Sequence, residues 1–457
     1  MSADKVSQLF WLQYGDAIRQ KVGVGSGDKL FFLANEAQKG PLAGNNIPDE
    51  YTYQGLYNIG NNLLSTDNVF YSPSSLHGFD QAIGSYLNWV DLGGKANPAL
   101  DAAFLDAIRD QNAYTAAMNA EQDKAFAKWK KDTEMGLTDT SFKVYVESGK
   151  TPAFKAAKDN VDAITQKITQ IQLEKAGPMA VTVKADRDAL GKGRNEELDF
   201  DGYNMHAATG NTLSTAELIR KALQNEKIAP PSFHRLPLYD APHYKQFVQD
   251  AMSKATSSDY NPSQSITVEI DTGKNTSDYN FGQTKGGASV GASVGWFSFS
   301  AGASHSSEST TLQTGSESSK VSVKITYDDL QAITINLGSW NIDVSKYKLR
   351  SDAPKDVKTL ARVSQVVVIS GLGYEISVGA STAETLDTKL KETTSAGGSI
   401  SVFGIPIGLG GSGSRSKEKN THRTSWDKAS RTFKVIPNYD NNCATVVGLV
   451  GEKFAML

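Results

Sequence analysis

The chain has 457 residues, a formal net charge of −3 and a pI near 6.1, with 39% hydrophobic and 21% charged residues. A chain of this length has room for two or three domains and buries a large core without metals or disulfides. The near-neutral charge excludes the basic footprint of a nucleic-acid binder. A single cysteine, Cys443, excludes a disulfide framework. The opening MSADKVSQLFWLQYGDAIRQ lacks the apolar segment of a signal peptide. Apolar runs such as VVVI before Ser370 are far short of the ~20 residues of a membrane-spanning helix. A β-type membrane contact stays open.

In chain order, the first fifty residues are weakly patterned, with a loop at Gly40–Asn46. Pro98 to Lys130 reads as a long helix with Leu100, Phe104, Ile108, Met118, Phe126 and Trp129 as its apolar residues. Phe154, Ala157, Val161, Ile164, Ile168 and Ile171 follow in alternating steps of three and four, an a/d seam that ends before Gly177-Pro178. The two helices predict an antiparallel hairpin. Asp199, Asp201 and Asn204 around Gly202 suggest a calcium loop, but the glycine comes too early and no closing glutamate follows, so a polar turn is expected. A shorter helix starts at Ser214 with Glu217 completing a capping box. Another starts at Pro242, with Tyr244, Phe247, Val248, Ala251 and Met252 on one face.

Composition changes near residue 258, from alanine- and lysine-rich helical spacing to Ser, Thr, Gly and Val in period two. The expected fold class is therefore α+β: a mainly helical region 1–258 and a β-rich region 259–457. The second region reads as two related antiparallel units, about 265–345 and 365–455. Each unit opens with a Gly/Ser-rich stretch, at Gly286-Gly287 and at Gly397-Gly398. Each continues through a polar segment into an alternating strand, KVSVKITYDD or RTFKVIPNYD, and ends in an apolar strand, AITINLG or ATVVGLVG.

The two Gly-rich stretches carry the functional question. In GGASVGASVGWFSFSAGASHS, the apolar residues occupy even positions up to Trp296 and odd positions from Phe297. A strand keeps one phase per face, so the switch predicts a turn at Trp296-Phe297 with nine-residue arms, Ala288–Trp296 and Phe297–His305. GGSISVFGIPIGLGGSGS switches at Val402-Phe403, and Pro406 marks an edge or irregular strand. A flexible linker would not keep such a phase. Each predicted hairpin has one apolar and one Gly/Ser face. That apolar face suits a core, a ligand cavity or a bilayer, where a spanning strand needs about 9–11 residues.

Other motifs lack their context. Two overlapping G-x-S-x-G matches at Gly287–Gly295 precede no helix, as a nucleophile elbow requires. Gly408–Gly413 matches G-x-G-x-x-G without a βαβ unit. The six histidines show no metal-ligand spacing. His305 and His422 follow the two Gly-rich stretches and are the candidate polar helpers. Arg415, Lys417, Lys419 and Arg423 form a small basic cluster that suits a solvated strand edge, or an anionic headgroup or small-molecule anion.

Ser/Thr-rich strands flanking GGASVGASVGWFSFSAGASHS resemble those of the aerolysin-type β-pore-forming (hemolysin-like) proteins, in which an amphipathic hairpin from each protomer inserts into a bilayer. The resemblance covers residues 265–457. The chain departs from that pattern by having two such stretches, a helical first half and no visible export signal. In these departures it is similar to the fungal hemolysin-like hetero-Diels–Alderases of secondary metabolism. That resemblance implies a cofactor-free pericyclase holding two hydrophobic partners, such as a quinone methide and a terpene, in an apolar pocket. Catalysis would come from proximity, with a hydrogen-bond donor near the polarised oxygen. No cofactor, metal or nucleophile is implied, and no residue matches a catalytic position. The alternatives are a pore-forming toxin and a binding protein for a hydrophobic small molecule. An enzyme would be cytoplasmic; a pore former would be secreted and would have the membrane as partner. In each case the expected contact residues are Trp296, Phe297, Phe299, Phe403 and Ile405.

Overall fold

A computed structural model describes all residues except 1–2, 25–28, 63, 66–68, 72–77, 95–96, 136, 139–144, 176, 178, 193–204, 210–214, 229–231, 256–262, 270–273, 283–295, 301–309, 312–320, 339, 355–356, 358–359, 396–398, 404, 409–421, 438–441 and 454–457. The fold is α+β, with helices concentrated in the first half and sheets in the second.

The helical hairpin forms as the spacing predicts. Its long arm is Pro98–Glu134 and its second arm Pro152–Glu174. Phe104, Ala107 and Ile108 of the first arm pack with Ile164, Ile168 and Ile171, and Met118 and Ala125 pack with Phe154. The start of one arm thus meets the end of the other, which is the antiparallel arrangement. At this base the Arg350 guanidinium lies 4.5 Å over the Phe104 ring, and Lys175 pairs with Asp101. The expected stop at Gly177 has a steric cause: a Cβ there would lie 2.0 Å from the Leu92 carbonyl oxygen, so only glycine fits.

A six-stranded sheet runs through the centre, in the order Asp329–Thr334, Leu360–Ser370, Thr445–Lys453, Lys29–Lys39, Phe70–Tyr71, with Leu64–Ser65 beside Leu360–Ser370. Alternation along these strands sends side chains into two different cores. Phe31, Leu33, Val367, Ile369, Val447 and Val450 enter one; Leu30, Phe32, Val366, Val368, Val446 and Leu449 enter the other. A sheet buried on both faces explains why these strands read as continuous apolar runs. Lys29–Lys39 comes from the helical half yet pairs with Thr445–Lys453. The composition change at residue 258 therefore runs through shared cores.

The helices Asp49–Gly60, Phe79–Asn88 and Pro242–Ala255 cover the second face, the last through Tyr244, Phe247 and Val248. Over the first face lie an outer five-stranded antiparallel sheet and a smaller four-stranded one. The outer sheet has the order His422–Asp427, Thr432–Pro437, Gly373–Ser377, Ser322–Tyr327, Gln264–Glu269. Segments that the expected repeat would align fall in the same sheets. Ser322–Tyr327 and Thr432–Pro437 both flank Gly373–Ser377. Asp329–Thr334 and Thr445–Lys453 both flank Leu360–Ser370.

Candidate functional site

The two Gly-rich stretches meet each other. Phe297–Ser300 pairs antiparallel with Ser399–Val402, placing Phe297 opposite Val402 and Phe299 opposite Ile400. Ser399–Val402 pairs in turn with Ile405–Gly408, with Val402 opposite Ile405, so the chain reverses at Phe403 as the phase switch predicts. The other side of Phe297–Ser300 is taken by Thr310–Thr311. Here the structure departs from expectation. Both sides of Phe297–Ser300 are occupied by strands other than its own preceding arm, whose residues 288–295 lie outside the described ones. The period-two pattern fixed the face correctly but not the partner, because a strand of matching phase more than ninety residues away competes equally well.

This sheet has the two faces the pattern implies. Phe297, Phe299, Ile400 and Val402 are buried. Between them Ser298 and Ser401 are half-buried, with their hydroxyls 3.1 Å apart. Trp296 and Phe403 close one end, and the Phe403 N–H donates to the Trp296 carbonyl at 2.6 Å. Phe403 sits at φ 46°, in the left-handed region that bulky residues avoid. Dense packing around its ring holds it there.

That packing comes from the N-terminal helix, Ala3–Lys21. Phe10 stacks on Trp296 at 4.3 Å and Tyr14 stacks on Phe403 at 4.0 Å, with interplanar angles of 19° and 8°. Trp11 meets Phe403 edge-on at 5.3 Å. Phe297 reaches Phe433 of the outer sheet at 5.7 Å. Each such pair adds about 0.5–1.5 kcal/mol beyond its buried area. At Gly15 the helix lies so close to the central sheet that a Cβ would come within 2.6 Å of Leu33.

The polar atoms that reach this nest are phenol hydroxyls. Tyr14 and Tyr374, both buried, place their hydroxyls 3.3 Å apart. Burial pushes the Tyr14 phenol up to about 12, against a smaller opposing effect of the bond to Tyr374. Burial also holds Tyr374 well above the ordinary phenol range. Both therefore stay protonated at neutral pH and serve as hydrogen-bond donors and acceptors, not as bases. The Tyr327 hydroxyl, in the same core, is sealed without a partner among the described residues.

Of the residues expected from sequence, Trp296, Phe297, Phe299 and Phe403 come together in one core, with the N-terminal helix stacked on Trp296 and Phe403. Ile405 has its backbone in the sheet; its side chain lies outside the described residues. His422 begins a strand of the outer sheet, opposite Pro437, and its side chain is likewise outside. His305, Arg415, Lys417, Lys419 and the turn at 199–204 fall outside the described residues altogether. Sequence reading missed Phe10, Trp11, Tyr14 and Tyr374. The available signal was the four-residue step from Phe10 to Tyr14 to Ile18.

Among the described residues, no group of His, Cys, Asp and Glu could hold a metal, and no helix is long and apolar enough to cross a membrane. No family model matches the chain, and no curated protein or solved structure matches it.

Proposed function

We propose that the protein acts by uncovering the aromatic face of its Gly/Ser-rich sheet to a lipid bilayer, as a membrane-active protein of the β-pore-forming type. The observation that carries this reading is the cover itself. A continuous apolar face (Trp296, Phe297, Phe299, Ile400, Val402 and Phe403) is buried, with Phe10 and Tyr14 of the N-terminal helix stacked on its Trp296–Phe403 end and the helix Ala380–Ser395 and Phe433 packed on the rest, while Ser298 and Ser401 alternate with its residues. Such a face needs a removable lid and no preformed hole. The Gly/Ser stretches that continue from these strands supply the length of a spanning strand, about 9–11 residues. In this reading the two β units are copies of one pattern, and each contributes a strand to the membrane-active sheet. The test is dye release from phosphatidylcholine and phosphatidylcholine/phosphatidylserine vesicles at micromolar protein. Release with bilayer-bound oligomers is expected. Intact vesicles and no bound protein would sink the reading.

One observation favours a second reading, a cofactor-free hetero-Diels–Alderase acting on two hydrophobic small molecules. The Tyr14 and Tyr374 phenols are held neutral inside an aromatic nest, as a hydrogen-bond donor to a polarised carbonyl must be. Ligand would then take the place of the helix rings. Turnover of a quinone methide with a terpene, slowed about 100-fold or more in Tyr374→Phe, would favour it. Equal rates with and without protein would exclude it.

A further inference from the structure

A second site lies at one end of the central sheet, where three strands bring a row of charges side by side. Lys29 stands opposite Glu452, and Glu452 stands opposite Arg362. The row borders a cleft of about 310 Å³, within the range of small-ligand sites. Arg362 donates to Glu452 at 3.0 Å, which accounts for one positive charge. Lys29 is exposed and makes no ion pair among the described residues, so the row carries a net charge of +1. The remaining walls are rich in neutral hydrogen-bonding groups, among them Asn341, Ser364 and Gln365.

The backbone is irregular at this place. The register between Leu360–Ser370 and Thr445–Lys453 shifts between Val363 and Gln365, leaving Ser364 as the extra residue of a bulge. Bulges re-aim side chains and concentrate beside binding sites. Here the shift sets Arg362, Ser364 and Gln365 around one cavity, although strict alternation would not place Gln365 with the other two. Ser364 donates to the Val450 carbonyl at 3.2 Å and is itself buried, which fixes the bulge.

We infer that this cleft binds a small hydroxylated anion, a sugar phosphate or a sugar acid. Lys29 and the free edge of the Arg362 guanidinium would take the anionic group. The amides and hydroxyls would take the hydroxyl groups of the ligand, which an apolar pocket would reject. This site is independent of the aromatic nest and of either reading given for it.

Calorimetric titration of the full chain with glucose 6-phosphate, gluconate, glucose and inorganic phosphate tests the inference. One of the two sugar anions should bind at least tenfold more tightly than glucose or phosphate alone, and which one it is identifies the anionic group. Lys29→Gln should weaken that binding roughly tenfold. Asn341→Ala should weaken it less. Lys29 makes no ion pair among the described residues, so its variant should melt at the wild-type temperature. The inference is overturned if neither anion binds at 10 mM, if glucose binds as well as the tighter of the two anions, or if Lys29→Gln binds unchanged.

Discussion

The two faces of the central sheet are closed by different means. On the face under Pro242–Ala255, the polar ends of Tyr244, Trp340 and Tyr239 are tied into place by hydrogen bonds. The Tyr244 hydroxyl donates to the Pro41 carbonyl at 2.7 Å and accepts from the Ala444 N–H at 3.2 Å. Trp340 donates to the Leu238 carbonyl at 2.9 Å, and Tyr239 donates to Asn61 at 2.9 Å. On the face under the N-terminal helix the rings stack, but their polar ends are less engaged. Tyr14 and Tyr374 share one contact of 3.3 Å, and the Tyr327 hydroxyl and the Trp426 indole N–H are buried without partners among the described residues. The burial that ring packing provides is non-directional and is regained in another apolar medium, whereas parting Tyr244 from the Pro41 carbonyl and the Ala444 N–H leaves polar groups unpaired. Under the proposed membrane-active reading, the face under Pro242–Ala255 is expected to stay closed and the face under Ala3–Lys21 to part.

Substitutions on each side sharpen this contrast. The largest effect is expected from Trp296→Ala, which empties a fully buried site against Phe10 and should cost about 3–5 kcal/mol in a urea titration. Proteolysis within the first 24 residues should rise in this variant while Pro242–Ala255 stays protected. Equal loss on both faces would break the comparison. Next comes Tyr244→Phe, which strands the Pro41 carbonyl and the Ala444 N–H and should cost about 1–3 kcal/mol. The phenol swap on the other face, Tyr14→Phe, should cost about 1 kcal/mol or less, because its one partner is another hydroxyl. Smallest is Ser298→Ala, expected within about 0.5 kcal/mol at a half-buried hydroxyl pair.

Alkaline pH probes the same phenol. In the unfolded chain a tyrosine loses its proton near 10, whereas Tyr14 in the fold keeps it to about 12. Its contribution is thus fully present below pH 10. Above pH 10 the folded chain binds more protons than the unfolded one, so stability falls as pH rises towards 12. Melting temperatures of the wild type and Tyr14→Phe between pH 8 and 11.5 should show a shallower alkaline fall in the variant.

How much of this was legible in the sequence depended on burial geometry. The seam from Phe154 to Ile171 is one-sided, so its period stood out, and the helical hairpin followed from it. The face of the Gly-rich strands was legible for the same reason: Phe297 and Phe299 alternate with serine. The N-terminal helix was not, because Leu9, Phe10, Trp11 and Leu12 are all buried and the contrast between faces disappears. Lys29–Lys39 was lost in the same way, since Leu30, Phe31, Phe32 and Leu33 feed both cores. The pairing of Phe297–Ser300 with Ser399–Val402 is a long-range choice that no local pattern contains. The charged cleft arises only when Lys29, Arg362 and Glu452 are aligned by strand register.

The releasable helix is the central claim, and hydrogen exchange read by mass spectrometry with and without phosphatidylcholine/phosphatidylserine vesicles tests it most directly. The amides of Ala3–Lys21 and of Phe297–Ser300 should open at lower free energy than those of Pro242–Ala255, as a separate cooperative unit. Vesicles should accelerate exchange in the helix and leave Pro242–Ala255 unchanged. Exchange of both regions in a single event, unmoved by vesicles, would contradict the account.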